Sequence, residues 1–268
     1  MFLQETMGGM EKAMNQNGSN NNNREIWEKY KPVIMQDKKE PFQITAAGCT
    51  VFRETGQSSS FPKRKIWIDK ETTDYGIEYA IWYDYDIQHL YELEHVWVYV
   101  NYNGSVQKAE ASFHGKYLNV ADLDTGQVTL WDGTHPVVYA QPGKHAMLSD
   151  PRLIRLIPGW RESCMEEAGN AGVLVQDMFA DRIHTDERLQ KMAEAYIKEQ
   201  FGFRPSLEFV PFQLEDDMLM TWEELAETIP GRVNCQIDRI RELFAAHNGN
   251  AAAYHIPYAP FETGGRLK

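Results

Sequence analysis

Two segments decide the fold of this chain: IEYAIWYDYD at residues 77–86 and HLYELEHVWVYVNYNG at residues 89–104. In the first segment, side chains at odd positions share one face of an extended strand, and those at even positions share the other. The second segment ends in Asn103-Gly104, a dipeptide typical of tight hairpin turns. The two segments therefore predict two long strands, and a third strand follows the turn from Ser105 to His114.

Weaker strand patterns surround this central part of the sequence. Short strands are predicted at residues 127–131 and 136–141, each followed by turn residues. Residues 31–53 contain two prolines, which suits short edge strands. We therefore expect residues 30–150 to form an antiparallel β-sandwich.

The composition changes after Asp150, and helical patterns replace the strand patterns. The predicted helices are Asp186–Gln200, which Thr185 can cap, a short helix opened by the capping box Thr221-x-x-Glu224, and Asn234–Ala246. The second helix should stop before Pro230, because proline disrupts a helix interior. The expected fold class is mainly β with α, an antiparallel β-sandwich followed by C-terminal helices packed on it.

This pattern divides the chain into three regions. Residues 1–29 form a polar N-terminal segment, with a short helix at Glu5–Met14 and an Asn-rich loop at Asn15–Asn23. Residues 30–150 carry the sandwich. Residues 151–268 pack on the sandwich within the same globular unit.

The chain has 39 acidic and 27 basic residues, which gives a formal net charge of -12. Such a surface should repel nucleic acid and anionic membranes. No run approaches the ~18 apolar residues of a membrane span, and the N-terminus lacks the apolar core of a secretory signal. Cys49, Cys164 and Cys235 are widely spaced, which predicts mostly buried, reduced thiols in a cytoplasmic protein, with one disulfide as the alternative.

The entrance of the second strand concentrates ionisable side chains. Glu92 and Glu94 are two residues apart, so their carboxylates should share a face. Adjacent carboxylates repel each other, and a divalent cation removes that conflict. His89 can bend toward them from the turn, and Asp84 and Asp86 end the preceding strand beside it. The cluster predicts a metal site, with solvated strand ends as the alternative interpretation.

The hairpin turn sets the register around this site. A two-residue turn at Asn103-Gly104 pairs Val96 with Ala111 and Val98 with Ala109, and it places residue 94 opposite residue 113. His114 then lies on the opposite face from Glu94, unless a bulge intervenes.

Two further histidines and the choice of ion complete the prediction. His95 has the opposite parity to Glu94, so it should point elsewhere. Gly143 lets the chain turn sharply and present His145, which we rank above His114 as a ligand. Oxygen ligands favour Ca²⁺ or Mg²⁺, which we expect first. A histidine nitrogen tilts the choice toward Mn²⁺, Fe²⁺ or Zn²⁺.

The order of these residues resembles that of the NPP1-like necrosis-inducing proteins and the related Vps62-type family. The segments that carry the resemblance are His89-x-x-Glu92-x-Glu94-His95-Val96, Ser112-x-His114-Gly115, His135-Pro136-Val137-Val138-Tyr139 and Gly143-x-His145-Ala146. In the toxins the first segment reads GHRHDWEH, whereas residues 88–95 here read QHLYELEH. Tyr30-Lys31-Pro32-Val33 and Glu40-Pro41-Phe42 are similar to the start of the Vps62-type sequences. The resemblance covers about residues 30–150.

The resemblance implies a β-sandwich that holds a divalent cation. The implied ligands are His89, Glu92 and Glu94, an upstream aspartate (Asp84 or Asp86) and, downstream, His145. His114, His95 and Tyr91 would either bind the ion or support its ligands. Tyr91 and Leu93 replace the second His and the Trp of the toxin motif, so toxin activity is not carried over.

The resulting hypothesis is a soluble protein whose cation site binds a small polar ligand, such as a sugar (glycan) or lipid headgroup. One alternative is a metal-dependent hydrolase, in which the ion activates water and His89 or His145 acts as general base. Another is a closed structural ion site without catalysis. The motifs GxSxG, HExxH, GxxxxGK[ST] and GxGxxG do not occur in the sequence, so it offers no support for those other schemes.

Overall fold

Two β-sheets and a small hairpin form the framework of residues 22–246, the part of the chain that the computed structural model describes. The strands are β1 (Val33–Asp37), β2 (Ile44–Phe52), β3 (Gly56–Gln57), β4 (Lys65–Ile66), β5 (Thr73–Tyr85), β6 (His89–Asn101), β7 (Val106–Phe113), β8 (Lys116–Asn119), β9 (Leu130–Trp131), β10 (His135–Ala140), β11 (Met147–Leu148), β12 (Gly172–Val173), β13 (Phe209–Gln213) and β14 (Leu219–Thr221). The helices are α1 (22–30), α2 (Glu187–Phe201) and α3 (Trp222–Ala246). Short 3-10 turns occur at Pro151–Leu156, Glu162–Cys164, Asp177–Phe179 and Asp216–Met218.

The larger sheet places β5 and β6 at its centre. Its order is β14-β2-β5-β6-β7-β8, and β12 pairs with the start of β6. The strands from β2 to β8 in this order pair antiparallel, whereas β12 and β14 join in parallel. The smaller sheet has the order β11-β10-β1-β13, with β9 on β10, and its β1–β10 pair is parallel. The predicted mainly β fold with helices packed on it is confirmed, and parallel pairs are added where distant segments join.

Strand β5 is buried from Gly76 to its end because other elements cover both of its faces. On the odd face, the Tyr79 hydroxyl donates to the carbonyl of Trp27 in α1 at 2.8 Å. On the even face, Gly48 of β2 lies so close to α3 that an added Cβ would sit 3.1 Å from the Cα of Trp222. One hydrophobic cluster joins side chains of both sheets with those of α2 and α3.

The β6–β7 hairpin keeps the predicted register although its turn is longer. The pairs Val96–Ala111 and Val98–Ala109 are confirmed. The amide of Asn101 donates to the carbonyl of Ser105 at 2.9 Å, so the turn contains three residues instead of two. A bulge beside Tyr99 compensates for the extra residue and restores the register toward the site.

Helix α3 is continuous where two helices are predicted. Thr221 and Glu224 form the predicted capping box at its start. Pro230 lies inside the helix and cannot donate to the carbonyl of Ala226. Arg182 donates to that carbonyl instead, at 3.2 Å. The predicted break before Pro230 is wrong, because a side chain from another segment satisfies the group that the proline leaves unpaired.

The remaining predictions for the ends of the chain have mixed outcomes. Residues 22–30 are helical, so the Asn-rich loop does not extend to residue 23 as predicted. The predicted helix at Glu5–Met14 and the rest of that loop lie outside the described residues. Helix α2 lies where it is predicted, but its cap is Asp186 rather than Thr185. In the described part of the chain, no helix is both long and apolar enough to cross a membrane.

The three cysteines are unpaired. Cys49 and Cys164 are buried, and Cys235 is exposed. The structure therefore contains no disulfide among them, which agrees with the predicted reduced thiols rather than with the alternative.

Candidate metal centre

The turn between β5 and β6 brings Asp86, His89 and Glu92 together. Each offers a ligand atom, and these atoms lie within 4.8 Å of one another. The amide of Asp86 donates to the carbonyl of His89 at 2.9 Å, which fixes the tight turn. Tyr91 has a left-handed backbone with φ 50°, and this interrupts the strand alternation between His89 and Glu92. Residues three apart can then point into one site, which could hold a metal ion.

The ring of His89 is oriented for ligation. Its Nδ1 lies 2.9 Å from the carbonyl oxygen of Tyr91, and because a carbonyl only accepts, Nδ1 donates. Its Nε2 lies 3.6 Å from the Asp86 carboxylate and 3.7 Å from that of Glu92. Both separations exceed hydrogen-bond length. A ring nitrogen fixed by a backbone carbonyl, with the other nitrogen facing carboxylates, is the arrangement of metal-bound histidines.

Asp86 is the buried member of the cluster. Its Oδ1 accepts from the Gln88 amide and from the Lys144 ammonium, both at 2.7 Å. Its Oδ2 is buried and has no hydrogen-bond partner among the described residues. Burial alone would raise the pKa of Asp86, but the charges of His89 and Lys144 outweigh it and lower that pKa. The carboxylate is therefore ionised and keeps one oxygen available.

Lys144 is a cation that the sequence pattern did not single out. Gly143 has φ 70°, and an added Cβ would lie 2.8 Å from Ile87, so this turn requires glycine and delivers the next residue into the cluster. Burial disfavours the charged ammonium of Lys144, but the carboxylates of Asp86 and Glu92 outweigh burial and raise its pKa. The only sequence signal is the position of Lys144 inside the Gly143-Lys144-His145 turn.

Glu94 shares the face of Glu92, since Glu92 pairs with Tyr83 and Glu94 with Ile81. It accepts a hydrogen bond from Ser112. Burial, reinforced by the charge of Glu92, raises the pKa of Glu94 well above its usual range. The convergence predicted from strand parity is present, but Glu94 is not among the three residues whose ligand atoms meet.

His145 lies deeper in the core than the cluster. Its ring stacks on Tyr83 with centroids 3.8 Å apart and planes 6° apart. Its Nε2 lies 3.4 Å from Glu40, and Glu40 also accepts from the Gly143 amide at 2.8 Å. His145 thus takes Glu40 as its partner, and the structure does not bring it into the group formed by Asp86, His89 and Glu92.

Asp84 points to the other side of the sheet. Its carboxylate forms a two-point ion pair with Arg232 of α3, at 2.9 and 2.8 Å. It also accepts from the Trp82 indole at 2.9 Å. Strand parity from Asp84 to Asp86 does not hold because β5 ends at Tyr85, so only Asp86 turns into the cluster.

The three residues considered as further ligands or supports occupy separate places. The His95 ring lies on the opposite face, 3.0 Å from Ser60, and burial lowers its pKa to about 3. His114 lies 2.9 Å from the side chain of Gln141. The ring of Tyr91 stacks on Trp82 with centroids 5.0 Å apart. Tyr91 supports the site through its backbone carbonyl rather than through its side chain.

A cleft of about 510 Å³ reaches the cluster from the surface. Glu92 lines it directly, as do Glu94 and His114, and Leu174 and Met178 form part of its apolar wall. Asp86 and His89 do not line this cleft, so a small molecule in it would reach the cluster at Glu92.

Comparisons with protein-family models, with curated proteins and with solved structures find no match for this chain.

Proposed function

We propose that Asp86, His89 and Glu92 bind one divalent cation, and that the ion holds a small polar ligand such as a sugar or lipid headgroup in the adjoining cleft. The observation that carries this proposal is the orientation of His89. Its Nδ1 is committed to the Tyr91 carbonyl, so its Nε2 faces two carboxylates across gaps wider than a hydrogen bond.

Two properties of the cluster support ion binding. The buried Oδ2 of Asp86 has no partner in the described part of the chain, and an unpaired buried carboxylate oxygen is costly. The Nε2 of His89 also lies 3.6 Å from Oδ1 of Asp86 and 3.7 Å from Oε2 of Glu92, and these separations suit donor atoms that each lie roughly 2.0–2.6 Å from a shared ion.

The donor set bears on the choice of metal. The sequence favours Ca²⁺ or Mg²⁺, which prefer oxygen ligands. One of the three converging donors is an imidazole nitrogen, however, and nitrogen suits Mn²⁺ or Zn²⁺ better. We propose Mn²⁺, because it accepts both carboxylate and imidazole ligands.

A structural role is the second candidate, and Lys144 is the observation that favours it. The Lys144 ammonium already lies 2.7 Å from Asp86, so it supplies a positive charge to the cluster without a metal. In that case the cluster pins the β5–β6 turn and binds no ion. We also propose that the protein is a distant relative of the NPP1-like and Vps62-type proteins. Only the order of the motif residues in the sequence supports this.

Calorimetric titration of the metal-stripped protein with Mn²⁺, Zn²⁺, Ca²⁺ and Mg²⁺ separates the two candidates. We expect one Mn²⁺ per chain, with at least about tenfold weaker binding in Glu92→Gln and His89→Gln. The control is Glu208→Gln, which changes an exposed carboxylate paired with Lys38. Equal affinity in all four proteins would contradict the metal site and leave the structural role.

The ligand part of the proposal needs its own measurement. Phosphocholine and glucose are titrated into the Mn²⁺-loaded protein and into the metal-stripped protein. Binding of either probe only in the presence of Mn²⁺ supports an ion that holds the ligand. Binding that is equally strong without Mn²⁺ would overturn this role for the ion.

A further inference from the structure

A second cleft lies away from the candidate metal centre, against β7, β8 and the β4 hairpin. Its volume is about 850 Å³, within the range of roughly 300–1,000 Å³ that is common for small-molecule sites. It shares no lining residue with the cleft at Glu92. Its use is therefore independent of the proposed cation site.

The floor of this cleft is built around the Arg64 guanidinium. Arg64 is only 3% exposed, and its guanidinium carbon lies 4.0 Å from the ring centre of Trp97 and 3.6 Å from that of Tyr117. It donates to Glu110 and, at 3.1 Å, to the hydroxyl of Tyr99. This network holds the Tyr117 ring in a fixed position without covering it, since Tyr117 remains 47% exposed.

Arg64 also has unused hydrogen-bonding capacity. Its Nε and Nη1 atoms are buried and have no partner among residues 22–246. Buried donors without partners are rare. Donors of this kind are complementary to a ligand rich in oxygen acceptors.

The rim of the cleft combines an exposed ring with an available cation. Trp67 is 67% exposed, and the Lys65 ammonium lies 4.2 Å from its ring centre. Within the described chain, no ion pair involves Lys65. Lys108, by contrast, is paired with Glu110 at 2.6 Å.

About half of the other lining residues have polar side chains. Amide and hydroxyl side chains come from Gln107, Asn119, Gln127 and Thr72. The cleft is lined by three basic and two acidic side chains, so its local balance is positive although the chain carries a net charge of -12.

This combination selects a ligand class. Rings that face solvent stack on flat C–H surfaces, while amides and hydroxyls pair with hydroxyl groups. A ligand with both features and a negative charge is an acidic sugar. We propose that this cleft binds an acidic saccharide, with Trp67 and Tyr117 stacking on sugar rings and Lys65 holding the carboxylate.

Binding is tested by calorimetry on the full chain with three acidic probes: trigalacturonate, a hyaluronan tetrasaccharide and sialyllactose. The neutral counterparts are galactotriose, chitotriose and lactose. We expect at least one acidic probe to bind more tightly than its neutral counterpart, and added salt to weaken that binding. Failure of all three acidic probes, or equal binding of the neutral ones, would overturn the proposal.

Substitutions then locate the site. We expect Trp67→Ala and Tyr117→Leu each to weaken binding of the acidic probe about tenfold, and Lys65→Gln to weaken it about threefold. The matched controls are Trp131→Ala, an exposed tryptophan outside the cleft, and Lys39→Gln, an exposed lysine. Equal losses in the controls would place the saccharide elsewhere. Glu92→Gln should leave this binding unchanged, which separates this result from the outcome at the cation site.

Discussion

The ammonium of Lys144 lies 2.7 Å from the Asp86 carboxylate, the same carboxylate that faces the free nitrogen of His89. The side chains of Asp86 and Lys144 are both strongly buried. The structure thus places a permanent cation beside the position where a divalent ion would bind, and the two charges compete for one carboxylate. This competition makes Lys144 the most informative residue to change.

Lys144→Met should destabilise the metal-free protein, because it leaves the Asp86 carboxylate buried without its partner. Breaking a buried pair from one side costs about 3–5 kcal/mol. Urea denaturation in a chelating buffer measures this loss in the free energy of unfolding. The exposed pair Lys191–Glu187 gives the control, since Lys191→Met should change stability by less than about 1 kcal/mol.

The same variant should bind Mn²⁺ more tightly than the wild type, because the ion no longer competes with the ammonium. Saturating Mn²⁺ should therefore restore more stability to Lys144→Met than it adds to the wild type. If Mn²⁺ stabilises neither protein, the cluster binds no ion, and the Asp86–Lys144 pair stabilises the β5–β6 turn without a metal.

Asp84→Asn should reduce stability without changing Mn²⁺ affinity. Asp84 is buried, and its ion pair joins β5 to Arg232 of α3. The change removes the charge of Asp84 from a mostly buried ion pair with Arg232, at a cost of about 3–5 kcal/mol. Urea denaturation and calorimetry on the same preparation separate the two effects. Weakened Mn²⁺ binding in folded Asp84→Asn protein would place Asp84 in the metal centre after all.

The side chain of Arg182 should stabilise α3 mainly when Pro230 is present. In the wild type, Arg182→Met leaves the Ala226 carbonyl without its donor and should cost about 1 kcal/mol. In a Pro230→Ala background, the restored amide can donate to Ala226, so the same change should cost less. A double-mutant cycle by urea denaturation measures the coupling. Additive effects would show that the bond from Arg182 does not compensate for the proline.

Burial of His95 should make stability depend on pH in the acid range. Burial favours the neutral ring and lowers the pKa of His95 from 6.5 to about 3. Between pH 6.5 and pH 3, the unfolded chain binds a proton at His95 and the folded chain does not. The stability that the neutral His95 ring contributes is therefore complete above pH 6.5 and is lost as the pH falls toward 3. We expect a slope of up to about 1.4 kcal/mol per pH unit.

His95→Gln should flatten this dependence, because a glutamine amide does not titrate in the range and can still donate to Ser60. The control is His184→Gln at an exposed position, which should keep the slope of the wild type. Denaturation midpoints measured from pH 7 to pH 4 give the comparison. Identical slopes in His95→Gln and the wild type would show that His95 does not carry the effect.

Much of the fold follows from local sequence because its signals are local. Strand alternation at residues 77–85 and 92–101, the Asn103-Gly104 turn and the capping box at Thr221 each specify backbone geometry through neighbouring residues. The predicted register of the β6–β7 hairpin is correct although the predicted turn is one residue too short, because the bulge beside Tyr99 shifts only the residues between it and the turn. The position of helix α2 is also predicted correctly, because the signals for that helix are local too.

The sequence by itself determined the mainly β fold, the face shared by Glu92 and Glu94, and the candidate status of Asp86, His89 and Glu92. Only the tertiary structure decided which groups meet. Asp84 pairs with Arg232 and His145 contacts Glu40, so neither lies in the cluster. Lys144 lies in the cluster and contacts Asp86. These partners come from segments distant in sequence, and a buried charge is satisfied by whichever opposite charge the packed fold brings beside it. Periodicity along the chain carries no information about that choice.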